Sequence, residues 1–101
     1  MTFVLLKYVD NRPERHFVQN DIATNKVIIA NFGFPIRVDY IPDGSIVSFK
    51  HAGLEGVYHF NVHGVSSTGS IRVMWRKDST GNVNIIDIEQ VFKSGERQSL
   101  L

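Results

Sequence analysis

The chain has no cysteine. A disulfide framework and a thiolate metal site are therefore excluded, and nothing ties the sequence to a reducing or an oxidising compartment. An excess of one charge is missing too, since 11 basic and 10 acidic side chains leave a formal net charge of +1. That balance gives no general drive toward phosphate backbones or anionic membranes, so composition implies no nucleic-acid partner. No apolar run approaches the ~20 residues that span a bilayer. Only 3 Pro and 8 Gly occur, too few for a low-complexity linker, while 43% hydrophobic and 11% aromatic residues suit one folded domain over 1–101. At this size folding removes roughly two-thirds of the unfolded chain's surface from water, enough for one modest core.

Catalytic signatures are equally scarce. There is no Gly-x-Ser-x-Gly elbow, and Ser66-Ser67-Thr68 falls in a hairpin loop with no helix after it. Gly53, Gly56, Gly64 and Gly69 are not followed by Gly-Lys-Ser/Thr, so they make no phosphate loop. The reading is of a chain that is not an enzyme and implies no cofactor.

What the sequence does carry is punctuation. Pro13 breaks the preceding segment and suits the first turn of a helix. Phe17, Val18, Ile22, Ile28, Ile29 and Phe32 recur at helical steps, and Asn25 interrupts them as the cap of a second short helix. The spacing predicts one broken helix or two short ones over 13–33, stopped by Gly33 and Pro35. Strand alternation follows through Ile36, Val38 and Tyr40, and Pro42-Asp43-Gly44 is read as a turn into a second strand at Ile46, Val47 and Phe49. Tyr58, Phe60 and Val62 share one face of a third strand, Ile71, Val73 and Trp75 one face of a fourth. Trp75 is assigned to the core on that alternation, ahead of a base-stacking role with Arg72, Arg76 and Lys77. Val83 to Phe92 forms a fifth strand, and Lys93-Ser94-Gly95-Glu96 turns into a last one at Arg97 to Leu101. The expected fold is α+β, with the helices packed on a curved, mainly antiparallel sheet of five to six strands over 36–101.

The helix end Ile22 to Ile36, with its Gly33-x-Pro35-Ile36, the run Val62-x-Gly64-x-x-x-x-Gly69-x-Ile71-x-Val73 and the closing hairpin around Gly95 occur in that order. Together they resemble the cytochrome c oxidase assembly factor 1 family, which is related to the mitochondrial import inner-membrane translocase subunit twenty-one domain. Phe32 stands where that family usually has Leu, and Ser94-Gly95 where it often reads Asp-Gly. The resemblance makes Gly33, Pro35, Gly64, Gly69 and Gly95 structural positions. It implies a membrane-tethered domain that binds a protein partner, a membrane-complex subunit or assembly intermediate. In a eukaryote that places it on the mitochondrial inner membrane facing the intermembrane space, and in a prokaryote on the bacterial membrane. The segment 1–12, with its apolar Phe3-Val4-Leu5-Leu6, is either the junction to a membrane anchor or an ordinary element start.

Alternation puts His59, Asn61, His63, Arg72 and Arg76 on the sheet face away from the core, and these form the candidate partner-binding face. The two histidines stand ~13 Å apart along one strand, too far to share a metal. His51 with His59 or His63, joined by Asp39 or Glu55, is a conceivable site for zinc or copper. The metal-free reading is preferred, and a small-ligand or metal-binding module using a cleft between helix and sheet is the alternative. Asp87 and Glu89 are read as cross-strand partners of Arg72 or Arg76.

Overall fold

The computed structural model describes residues 13–50 and 53–100. The junction reading of 1–12 and the candidate ligand His51 lie outside them. The first helix, α1 (Pro13–Thr24), buries Glu14, Val18 and Ile22 at successive i+4 positions. Phe17, expected on the buried face, points outward and is 49% exposed. The i+4 stripe leaves it a quarter-turn away from Val18, on the solvent side.

Asn25 separates the helices as expected. Its side-chain oxygen accepts the N–H groups of Val27 (2.9 Å) and Ile28 (3.2 Å) and so caps α2 (Lys26–Phe32). Gly33 ends α2 at φ +90°, where a side chain would be strained.

Five antiparallel strands follow in sequential order, β1 (Arg37–Lys50), β2 (Gly53–His63), β3 (Thr68–Lys77), β4 (Val83–Val91) and β5 (Arg97–Ser99). The fold is α+β, with the two helices on one face of an open sheet. Pro42-Asp43-Gly44 is not the expected hairpin turn. β1 continues through it, pairing with β2 on both sides of an irregularity between Ile41 and Ile46. Ser45 explains how: its hydroxyl donates to Ile41 O (2.8 Å) and accepts His59 N–H (3.1 Å), replacing ladder bonds across the gap. Pro42 is tolerated because β1 is an edge strand.

Val18, Ile22, Ile28 and Phe32 pack onto Tyr58, Phe60 and Val62 of β2, Ile71, Val73 and Trp75 of β3, and Ile88 of β4. Each fully buried large side chain contributes about 1.5 to 3 kcal/mol. Trp75 is wholly buried, its ring centroid 5.1 Å from that of Tyr58, so it is core and presents no stacking surface. Its indole lies across Gly56, where a Cβ would come within 2.5 Å of Cζ2. At the rim of this core Lys77 Nζ reaches the buried Glu14 carboxylate at 2.9 Å.

Candidate functional site

The sheet face opposite the helices is uncovered by any described element and is built of cross-strand rows. One row joins Asp39, Asn61 and Ser70, the next His59, Arg72 and Glu89. A third joins Ile46, Val57 and Met74, and a fourth Ser48, Glu55, Arg76 and Asn84. All five residues of the candidate face, His59, Asn61, His63, Arg72 and Arg76, therefore share this face, as alternation requires.

Most of their polar groups have partners within the sheet. Arg72 pairs with Glu89 at 2.9 Å and Arg76 with Glu55 at 3.1 Å. Asn61 accepts the Ser70 hydroxyl at 2.8 Å. His63 Nε2 and Arg37 Nε converge on Asp39 Oδ2 at 3.2 and 3.1 Å. The expected cross-strand pairing thus holds for Glu89. Asp87 departs from it, because Arg76 turns to Glu55 and Asp87 instead accepts the Ser99 hydroxyl at 2.7 Å. No group of three His, Asp or Glu side chains converges to hold a metal ion among the described residues.

Between the two ionic rows runs a groove of about 240 Å³. Ile46, Val57, Met74 and Ile86 line it in a band crossing four strands, with Ser48, Glu55 and Arg76 on its bank. Ile46 and Ile86 are each half exposed. The result is a narrow apolar strip, flanked by charges already neutralised in pairs, on a face that no described element covers.

No motif in the sequence marks these four residues as functional, yet the chain does signal two of them, Ile46 and Ile86. Ile46-Val47 and Ile85-Ile86 are apolar doublets inside alternating strands, so one member of each must face water. The pairing of β3 with β4 shifts register between Met74 and Trp75, opposite Asp87 and Ile85, and leaves Ile86 as the extra residue.

The structural glycines divide. Gly33, Gly64 and Gly69 gather around Phe32, whereas Gly95 sits alone in the β4 to β5 turn at φ +90°. The loop from Gly64 to Ser67 docks on the end of α2: Phe32 O accepts Ser66 N–H (2.9 Å) and Ser67 N–H (3.2 Å), and Gly33 O accepts Val65 N–H (3.2 Å). Pro35 follows in the exposed segment leading to β1. No protein-family model matches the chain, and neither does any curated protein or solved structure.

Proposed function

We propose that this is a non-enzymatic protein-binding domain working beside a membrane, in the manner that its likeness to the cytochrome oxidase assembly factors implies. Its partner is a membrane-complex subunit or assembly intermediate. The observation that carries this reading is the solvent-facing groove of Ile46, Val57, Met74 and Ile86, set on a face without a covering element among the described residues. The His59–Arg72 row borders it on one side and Arg76 on the other, with Asn61 and His63 further along the same face, and in this reading these polar groups set the register of what docks there. No described helix is long and apolar enough to cross a membrane, so in this reading attachment comes through another segment or through the partner.

Co-purification of partner polypeptides from membranes of the source organism tests the proposal. Met74→Lys is expected to abolish recovery of a specific partner, and alanine at His59, His63 and Arg72 to reduce it. Undiminished recovery by Met74→Lys, with the variant folded by circular dichroism, overturns the assignment of this face.

A further inference from the structure

We infer that the outer edge of β4, from Val83 to Asp87, accepts an extended segment of a partner polypeptide as an added strand. The inference rests on the protein-binding reading above and narrows it to one edge and one mode of contact.

The two edges of the sheet differ. On β1, Pro42 has no N–H to offer, the ladder is irregular between Ile41 and Ile46, and Gln19 Nε2 donates to Val38 O at 2.7 Å. These features blunt that edge. At the other end β5 has three residues and pairs only with Glu89, Gln90 and Val91. Beyond it, Leu100 N–H donates to Ile88 O (2.7 Å). From Val83 to Asp87 no strand lies alongside β4 among the described residues. Outward main-chain amides and carbonyls in an extended run are complementary to another extended backbone.

A second observation points to the same place. The apolar band on the outer face ends at Ile86, which the bulge turns into solvent beside this edge. An added strand sets a side chain next to Ile86 and lengthens the band by one member. Its alternate side chains fall on the helix side, next to Val83 and Ile85, which pack against the core. The Asp87 carboxylate accepts the Ser99 hydroxyl and is in no ion pair among the described residues. The segment that fits is extended, apolar on the positions flanking Ile86 and Ile85, and basic at the end near Asp87.

A displayed library of random peptides of about ten residues, long enough for one strand, provides the probe. The full chain is the bait, and its amide exchange is followed with and without an enriched peptide. Enriched peptides are expected to carry apolar residues at consecutive positions, with a basic residue toward one end, and to slow exchange at 83–87. Ile86→Lys should weaken them by about ten-fold or more, equivalent to about 1.4 kcal/mol. Protection confined to Val57 and Met74, with 83–87 exchanging freely, overturns strand addition while leaving protein binding intact. Protection at 83–87 that rises with the chain's own concentration assigns the edge to a second copy and overturns the inference as well. Peptides that bind Ile86→Lys undiminished also overturn it. Loss of protein binding altogether would be registered separately, in the co-purification experiment.

Discussion

A Cβ on Gly64 would fall on the carbonyl oxygen of Phe32, so closely does the β2 to β3 loop approach the end of α2. That proximity lets Ser66 and Ser67 donate to the same oxygen. Backbone cannot yield as a side chain can, so Gly64→Ala should destabilise the fold by about 2 to 4 kcal/mol. Gly95→Ala meets no neighbour and bears only the left-handed φ, which costs about 1 kcal/mol. Urea unfolding followed by the fluorescence of Trp75, the single tryptophan, measures both. Equal losses would refute the steric account.

Glu14 is 2% exposed, yet Lys77 reaches its carboxylate from a position 63 residues away. Lys77→Met removes the cation from a buried acid and should lower stability by about 2 kcal/mol, less than for a wholly buried pair because Lys77 is partly solvated. Adding Glu14→Leu to Lys77→Met should restore part of the loss, since the remaining side chains are then apolar. A double-mutant cycle on unfolding midpoints checks the coupling.

Ser45 bridges the irregularity of β1 by donating to Ile41 O and accepting His59 N–H. Ser45→Ala removes both bonds from a site that is largely buried and should cost about 1 to 3 kcal/mol. Amide exchange at His59 is expected to quicken selectively, while exchange at Phe60, beyond the gap, changes little.

Asp78 holds the β3 to β4 turn by accepting Thr80 Oγ1–H (2.6 Å) and the N–H groups of Thr80 and Asn82 (3.0 Å each). The Thr80 hydroxyl first, and then the Asn82 amide, hold its carboxyl below the usual carboxylate range. A carboxyl acidified by folding stabilises the fold above its unfolded pKa, and that contribution fades as pH falls through the folded value. Wild type should therefore exceed Asp78→Asn in stability at neutral pH, and the gap should close as the pH drops below about 4. A gap that is constant from neutral pH down to strongly acid conditions would contradict the assignment.

Local signals are legible in the chain and distant ones are not. Asn25 as a cap, Gly33 as a stop and the inward sets Tyr58-Phe60-Val62 and Ile71-Val73-Trp75 each follow from period and propensity within a few residues. Pro42-Asp43-Gly44 reads as a turn by the same rules, and the Ser45 hydroxyl that keeps it in one strand acts through His59, on a neighbouring strand. The buried Glu14 is met by Lys77 from a strand far along the chain, and the exposure of Phe17 depends on which side of α1 meets the sheet. On the candidate site, alternation places the polar members on the correct face. Which member of the Ile85-Ile86 doublet joins the groove between them depends on a register shift in β4, and that follows from the pairing with β3.

α2 has seven residues, too short to persist as an isolated helix in water. Its final carbonyls are satisfied by a loop that exists only once β2 and β3 have paired. The end of the helix and the hairpin tip thus hold each other, and the ordering of α2 should track the formation of that hairpin. Any treatment that frays the hairpin tip is expected to melt α2 with it, so the two segments should lose amide protection as one cooperative unit.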